Sequence, residues 1–330
     1  PTKSGSPGMR PLRFLIRAEM RLPRLVSQFP PSTRCFRFGV GRQSPSTTQL
    51  SSPESKTKLE GTVTNSALGH RMSRGGSVGV KEILQFVKVE HTLFSLPFVL
   101  IGFWLAHREF GSEQLDLLWI LVAAVGARGL AMALNRIIDR DIDAKNPRTA
   151  NRHLPAGTMS MQTAWTLSAV FLAMLLGGAW MLNEVALMMA WLPVLVFVIY
   201  PYTKRLTWLC HFWLGLCLAL APAGAWLGVA ADTHGWAAIT ELLWYPEIFF
   251  ISLGITFWIA AFDINYARMD VESDRANGIQ SFPAKFSEDA TTRTSVQLTL
   301  VWFACFAISD PMDEIWFLAA AGLMALLNIA

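Results

Sequence analysis

The sequence predicts an all-α fold, a polytopic bundle of transmembrane helices, and three observations support this prediction. Of the 330 residues, 52% are hydrophobic and only 16% are charged, whereas soluble domains contain roughly 25% charged residues. The apolar residues are concentrated in eight long runs separated by short polar loops. The basic residues are distributed unequally between alternate loops, as in proteins that cross a membrane.

The first 79 residues differ in composition from the rest of the chain. They contain 13 Lys and Arg against 3 Asp and Glu, and they lack apolar periodicity. Such a segment cannot bury a core, so residues 1–79 are predicted to be a disordered basic leader. The leader is either an over-extended start, with Met72 as the true first residue, or a mitochondrial transit peptide. Its basic residues are not interleaved with aromatic residues, so no nucleic-acid partner is expected.

Residues 80–330 form the predicted membrane domain. Each of its apolar runs is close to the ~20 residues that a helix needs to cross a hydrocarbon core about 30 Å thick, so the bilayer is an expected partner. The runs cover residues 92–107, 115–138, 163–182, 184–200, 207–230, 246–268, 293–309 and 313–330. The last run ends without a flanking segment, and truncation at the C-terminus is therefore expected.

The loop charges predict the orientation in the membrane. One set of alternate loops contains eleven basic residues, namely Arg136, Arg140, Lys145, Arg148, Arg152, Lys204, Arg205, Arg268, Arg275, Lys285 and Arg293. The opposite loops contain only Arg108. Because basic loops stay on the cytoplasmic side, the first set is predicted to face the cytoplasm of a bacterial inner membrane. The alternative is the matrix side of a mitochondrial inner membrane.

A first acidic motif follows the second apolar run, in the stretch NRIIDRDIDAKNPRTANRHLPAG at residues 135–157. Asn135, Asp139 and Asp143 are four residues apart, so they form one stripe at the end of a helix with 3.6 residues per turn. Arg128 lies two turns earlier on the same stripe. An ionisable residue inside a spanning run is costly, which makes Arg128 a candidate functional residue unless it snorkels to the interface.

A second acidic motif, FDINYARMDVESDRANG, begins at Phe262 on the same predicted side of the membrane. The spacing of Asp263, Asp270 and Asp274 returns all three to one helix face. Stacked carboxylates repel each other, so cations are expected between them. The alternative is that these are ordinary solvated loop residues.

Mg²⁺ is the cofactor that these side chains predict. It prefers oxygen ligands and shares its coordination with substrate phosphates. The predicted metal ligands are Asn135, Asp139, Asp143, Asp263, Asp270 and Asp274. Two such clusters facing each other across a cavity would hold a diphosphate, and nearby basic residues would complete the anion site. These predicted substrate-binding residues are Lys145, Arg148, Arg152, Lys204 and Arg205, in addition to Asn135 and Arg128.

The same motifs resemble those of the UbiA-type membrane prenyltransferases. The pattern N-x₃-D-x₃-D at Asn135, followed by RTANRHLPAG, resembles the first aspartate motif of that family, and FDINYARMDVESDRANGIQS resembles the second. YPYTKR at residues 200–205 resembles the cytoplasmic Tyr-Pro-x-x-Lys-Arg loop of the family. The likeness covers roughly residues 81–330. EHTLFSLPF at residues 90–98 and DRDIDAKNPRTANRHLPAG are similar to the 4-hydroxybenzoate polyprenyltransferase-like branch.

The resemblance implies nine spanning helices around a central cavity that opens to the cytoplasmic side. It also implies an enzyme that transfers a prenyl chain from a polyprenyl diphosphate to an aromatic acid with Mg²⁺. Asp139, Asp143, Asp270 and Asp274 would then act on the diphosphate leaving group, and Tyr266 could face the allylic cation with its ring. Either Arg128 or Arg205 would bind the carboxylate of the acceptor.

The sequence departs from the family pattern at three points. Many members have Asp directly after the motif Asn, where this chain has Arg136. His153 occupies a position that is commonly Pro, and a ninth helix is missing.

Several functions remain open at this stage. The acceptor is 4-hydroxybenzoate, as in ubiquinone synthesis, or 1,4-dihydroxy-6-naphthoate, as in menaquinone synthesis through the futalosine route. A cation-dependent transporter is a distant alternative, although transport sites usually lie near the membrane midplane rather than at helix ends. The CDP-alcohol phosphotransferases are also helical and rich in Asp, but their D-G-x₂-A-R signature is not found here.

Overall fold

The computed structural model describes residues 79–311 and 315–329, and these residues fold into helices joined by short loops. The leader predicted for residues 1–79 lies outside the described residues, apart from Gly79. The helices are α1 Val80–Val87, α2 Val89–Phe110, α3 Asp116–Ile138, α4 Arg140–Asp143, α5 Met161–Leu182, α6 Glu184–Met189, α7 Trp191–Leu206, α8 Cys210–His234, α9 Ala237–Thr240, α10 Glu247–Ala267, α11 Val271–Asn277, α12 Phe282–Lys285, α13 Glu288–Ser309 and α14 Ile315–Ile329. A short 3₁₀ helix, Arg268–Asp270, joins α10 to α11.

Each of the eight predicted apolar runs is mainly helical within the described residues, and the all-α fold is therefore confirmed. In the described part of the chain, six segments are long and apolar enough to cross a membrane: Leu93–Phe110, Asp116–Ile138, Met161–Leu182, Glu184–Leu206, Cys210–His234 and Glu247–Asn277. The fourth of these contains the break between α6 and α7. The remaining two predicted runs correspond to α13, which begins with polar turns, and to α14, which is shorter.

Local sequence signals set several helix ends. The hydroxyl of Ser160 accepts a hydrogen bond from the Thr163 N–H at 3.0 Å and caps α5. Ser287 caps α13 in the same way through the Ala290 N–H. Side-chain oxygens at these positions satisfy N–H groups that the first helical turn leaves without partners. Gly278 ends α11 with a φ of +69°, a conformation in which glycine has no steric penalty.

The bundle is held together by close pairs of long helices. The most extensive packing joins α3 to α5 and joins α10 to both α8 and α13, followed by the packing of α2 on α8. In α13, the side chain of Trp302 is fully buried. A second apolar cluster joins α1, α3 and α5 around Phe86 and Phe171.

The contact between α2 and α8 depends on a glycine. A Cβ atom added to Gly102 would lie 2.2 Å from the backbone oxygen of Pro222, closer than any real contact. Because the clashing atom belongs to a helix backbone, it cannot be moved by a side-chain rotation.

Replacing Gly102 with Ala is expected to push α2 and α8 apart. We expect a loss of at least about 1–3 kcal/mol in the free energy of unfolding, which is the usual cost of overpacking. A lower midpoint of thermal unfolding in detergent would measure the loss. Gly177→Ala is the matched control, because nothing lies within 4 Å of a Cβ atom there. Equal stability of the two variants would show that the contact tolerates a methyl group.

A cavity of about 1190 Å³ runs through the bundle and is lined mainly by α2, α3, α7, α8 and α10. It is larger than the ~300–1,000 Å³ typical of small-molecule sites. Apolar side chains such as Leu121, Leu218 and Trp226 line its interior. The carboxylates of Asp143 and Asp270 line it at one end of the bundle, which is called the acidic end below.

Candidate active site

The first acidic motif continues past the end of its helix. α3 ends at Ile138, and α4 follows after Asp139. The predicted register nevertheless persists, because the N–H of Asp139 bonds to the Asn135 carbonyl at 2.9 Å and the N–H of Asp143 bonds to the Asp139 carbonyl at 2.8 Å. The amide of Asn135 also donates to Asp139 Oδ2 at 3.0 Å. Asn135 and Asp139 therefore do lie on one stripe.

Asp139 is fully buried and is neutralised by two cations from the end of α7. The Lys204 ammonium forms an ion pair with its Oδ2, and Arg205 Nη2 lies 3.3 Å from its Oδ1. Arg205 also donates to the carbonyl of Ile138 at 2.8 Å, which α3 leaves without a helical partner. The YPYTKR segment thus fixes the end of α3 against the end of α7.

Asp143 is also buried, and its partner belongs to the loop after α4. Arg152 Nη1 donates to Asp143 Oδ2 at 2.7 Å. The Thr149 hydroxyl donates to the Asp143 carbonyl at 2.9 Å, which ties the same loop to the motif. These contacts hold residues 143–152 over the acidic end.

The second acidic motif is divided by a change of helix type. The 3₁₀ turn has about 3.0 residues per turn, so three residues rotate the following side chains by roughly 60° relative to a continuous α-helix. Asp263, in α10, pairs with His211 of α8, whose Nδ1 lies 2.7 Å from Asp263 Oδ2. Asp274, in α11, accepts a hydrogen bond from the Ser281 hydroxyl at 2.5 Å. The 3₁₀ turn interrupts the continuous helix that the spacing assumed, but Asp263, Asp270 and Asp274 all line the same cavity.

The two motifs meet at Asp270. Arg148 Nε donates to Asp270 Oδ1 at 2.8 Å, and Arg148 Nη2 pairs with the other carboxylate oxygen. The Asn146 amide donates to Asp270 Oδ1 at 3.1 Å. The hydrogen bond to Asp270 raises the pKa of the Arg148 guanidinium, so the pair stays charged. Asn146 and Arg148 are therefore joined to Asp270, more than 120 positions away in the chain, at the acidic end of the cavity.

Tyr266 lies beside this bridge. Arg148 Nη1 donates to its hydroxyl at 3.1 Å, and the guanidinium carbon lies 5.2 Å from its ring centre. The ring is partly exposed and lines the cavity. The ring thus lies beside the Arg148–Asp270 bridge, and its role toward an allylic cation stays a prediction.

The predicted site residues fall into two groups. Most of them line one cavity: Asn135, Arg128, Asp143, Arg148, Arg152, Lys204, Asp263, Tyr266, Asp270 and Asp274. Asp139, Lys145 and Arg205 do not line it; Asp139 is buried, whereas Lys145 and Arg205 are exposed. Arg128 faces the cavity inside the membrane span, and its Nε has no hydrogen-bond partner within the described part of the chain.

Five of the six predicted metal ligands, all except Asp139, supply carboxylate and amide oxygens to one cavity, and this chemistry fits Mg²⁺. Among the side chains that the structure describes, however, no three of His, Cys, Asp or Glu are grouped closely enough to hold a metal ion. Protein donors neutralise these carboxylates instead, as Arg148 does for Asp270 and Arg152 does for Asp143. To bind a metal ion, Asp270 would have to release Arg148 and Asp143 would have to release Arg152.

His211 is a site residue that the sequence did not reveal. Its ring is buried, and its Nε2 accepts a hydrogen bond from the Phe282 N–H at 3.0 Å. Nδ1 therefore carries the proton and donates a hydrogen bond to Asp263 Oδ2. His211 thus fixes Asp263 and the start of α12 together. Only the fold could identify it, since Asp263 is 52 positions away.

The fold and the cavity define a class of protein: an integral membrane protein whose apolar interior opens at an end lined by paired acidic and basic side chains. The UbiA prenyltransferase family profile matches residues 95–330. This match covers well over half of the sequence, and the chain belongs to the UbiA prenyltransferase family.

Curated relatives and solved structures agree with the family. The 4-hydroxybenzoate octaprenyltransferase of Aliivibrio fischeri is 28% identical over 186 residues, which cover 56% of this chain and 61% of the relative. The enzyme of the same name from Vibrio atlanticus is 30% identical over 172 residues, covering 52% of this chain and 57% of the relative. The chain thus spans about three fifths of the length of the curated relatives that it matches.

A UbiA homologue from Aeropyrum pernix, solved in the apo form, superposes with a TM-score of 0.67 at 32% identity, and the match covers 73% of this chain and 86% of that one. A UbiA homologue from Archaeoglobus fulgidus, solved with DMAPP and Mg²⁺, has a TM-score of 0.57 at 19% identity. That match covers 75% of this chain and 84% of the homologue, and it supports the fold alone.

Proposed function

We propose that the protein transfers a polyprenyl chain from a polyprenyl diphosphate to an aromatic acid, with Mg²⁺ as cofactor and 4-hydroxybenzoate as acceptor. The observation that carries this proposal is the Asp270–Arg148 bridge, which joins the two acidic motifs at the mouth of an apolar cavity. The names of the relatives from Aliivibrio fischeri and Vibrio atlanticus support the acceptor. The basis for the proposed donor and metal is membership of the UbiA family, of which a homologue from Archaeoglobus fulgidus was solved with DMAPP and Mg²⁺.

The acidic end would bind the diphosphate. Asn135, Asp139, Asp143, Asp263, Asp270 and Asp274 would hold Mg²⁺, which supplies positive charge to the leaving diphosphate. Arg148, Arg152 and Lys204 line the same part of the cavity and would bind phosphate oxygens as their carboxylate partners turn to the metal. Lys145 is exposed, so its contact with diphosphate is the weakest of these assignments.

The acceptor would bind deeper in the cavity. Arg128 and Arg205 both stay candidates for its carboxylate, but their surroundings differ. Arg205 already donates to Asp139 and to the Ile138 carbonyl, whereas Arg128 faces the cavity with a free Nε. A guanidinium inside an apolar span gains most from an anionic ligand. Arg128 is therefore the favoured partner of the carboxylate.

The apolar interior would exclude water from the allylic cation that forms as the diphosphate leaves. Tyr266 would present its ring to this cation, held in place by the hydrogen bond from Arg148. The prenyl chain would lie along apolar walls such as Leu121 and Leu218. Residues 80–330 would constitute the prenyltransferase domain, with the acidic end on the cytoplasmic face of a bacterial inner membrane or, alternatively, on the matrix face of a mitochondrial one.

An acceptor assay tests this proposal. Membranes that contain the full chain are incubated with Mg²⁺, labelled polyprenyl diphosphate and either 4-hydroxybenzoate or 1,4-dihydroxy-6-naphthoate. We expect label in 4-hydroxybenzoate and its loss when EDTA removes the metal. Label in the naphthoate would assign the menaquinone reaction instead. If neither acceptor gains label while the protein is inserted in the membrane, the proposed transfer is wrong.

A further inference from the structure

Arg136 is a buried cation that the proposed mechanism does not use. It follows Asn135 directly, at the position where many UbiA family members have Asp. It is 4% exposed, yet it lines the central cavity. Among the side chains that the structure describes, none is a hydrogen-bond partner of its Nε and none forms an ion pair with it.

The protein surrounds Arg136 without neutralising it. Its guanidinium carbon lies 5.4 Å from the ring centre of Phe86, which is itself fully buried. His153, the other departure from the family motif, packs its ring edge-on to Phe86 at 6.1 Å. Both departures therefore meet at the same α1 side chain, and neither supplies a negative charge.

Among the described side chains, the acidic one whose charge acts on Arg136 is Asp143, and it is already paired. Its Oδ2 accepts a hydrogen bond from Arg152 at 2.7 Å. The guanidinium groups of Arg136 and Arg152 thus lie near the single carboxylate of Asp143 beside the cavity. This arrangement leaves one positive charge in excess. A buried charge without a partner is costly, so this arrangement is suited to an anion that enters from the cavity.

We propose that Arg136 binds a phosphate group of the polyprenyl diphosphate by direct charge-assisted hydrogen bonds. This inference rests on the proposed function. The planar guanidinium matches two phosphate oxygens at once, and it lies over the ring of Phe86 beside the cavity. At the position where many UbiA family members have Asp, a possible metal ligand, this chain has the positive charge of Arg136. Part of the affinity for diphosphate is then independent of Mg²⁺.

Binding of inorganic pyrophosphate to the detergent-purified full chain tests this inference. Calorimetric titration is run with Mg²⁺ and again with EDTA, on the wild type and on Arg136→Gln, Arg136→Lys and Phe86→Leu. We expect Arg136→Gln to weaken binding about tenfold or more under both conditions, since a hydrogen bond to a charged group is lost. Arg136→Lys retains the charge and is expected to lose less affinity. Phe86→Leu retains the guanidinium and is expected to bind within about threefold of the wild type.

Two results would overturn the inference. Wild-type affinity in Arg136→Gln would show that the guanidinium does not contact phosphate. An equal loss in Phe86→Leu and Arg136→Gln, without recovery in Arg136→Lys, would assign Arg136 to the packing of α1. If Arg136→Gln does not fold, the comparison of Arg136→Lys with Phe86→Leu decides by the same criteria. Failure of the proposed function is a separate outcome, in which the wild type binds no pyrophosphate and labels neither acceptor.

Discussion

Replacing Asp270 with Asn is expected to lower the rate of prenyl transfer at least about a hundredfold, which is the usual effect of removing one electrostatic group that stabilises a reacting charge. Asp270 is the point at which Arg148 joins the two acidic motifs, and it lines the cavity. The amide keeps the size of the side chain and one acceptor oxygen for Arg148, but it removes the charge that would hold Mg²⁺. Initial rates at saturating substrates, with protein amounts matched, measure the effect.

Asp141→Asn is the matched control for this experiment. Asp141 belongs to the first motif region and undergoes the same chemical change, but it is exposed and does not line the cavity. Its rate is expected to stay within about twofold of the wild type, as is usual for a surface position. A folded Asp270→Asn protein that retains more than a tenth of the wild-type rate would contradict the assignment of Asp270 to the diphosphate site.

Replacing Asp139 with Asn is expected to have the largest effect on stability. Asp139 is fully buried, and its loss leaves Lys204 and Arg205 without their carboxylate. Breaking a buried ion pair on one side costs about 3–5 kcal/mol. Because the Lys204 and Arg205 side chains are 21% and 38% exposed, water screens part of this loss. We therefore expect the free energy of unfolding to fall by about 2–4 kcal/mol.

A double-mutant cycle with Lys204→Met measures the coupling of this pair. Unfolding in mixed detergent micelles is followed for both single variants and for Asp139→Asn/Lys204→Met. The double variant is expected to be more stable than the sum of the single effects predicts, since it no longer contains an unpaired ammonium. Purely additive losses would show that the two side chains do not depend on each other in the folded protein.

Much of the fold could be predicted from the sequence because the bilayer fixes how long a spanning helix must be. The run at residues 115–138 and α3, Asp116–Ile138, differ by one residue. The periodicity of the first motif also remained valid past the end of α3, because hydrogen bonds of helical type continue to Asp143. A residue spacing can therefore predict local hydrogen bonds, between residues that are four apart in the chain.

The pairing within the site could not be predicted in the same way. Asp270 and Arg148 are 122 positions apart, so only the packed bundle brings them together. The 3₁₀ turn at Arg268–Asp270 also interrupts the helix of the second motif, which no count at 3.6 residues per turn could anticipate. His211 was missed for a related reason, because a single buried histidine in an apolar helix has no distinguishing pattern.

The bridge between Arg148 and Asp270 would make the binding of the metal and the binding of the diphosphate mutually dependent. While the bridge is closed, the carboxylate is occupied by the guanidinium and the guanidinium by the carboxylate. A divalent ion that binds alone would have to displace Arg148 from Asp270, and a pyrophosphate that binds alone would have to displace Asp270 from Arg148, so each would bind at an electrostatic cost. When both bind, each would take one released partner, and their affinities would rise together by the same factor. Such heterotropic synergy would make either one bind more weakly in isolation.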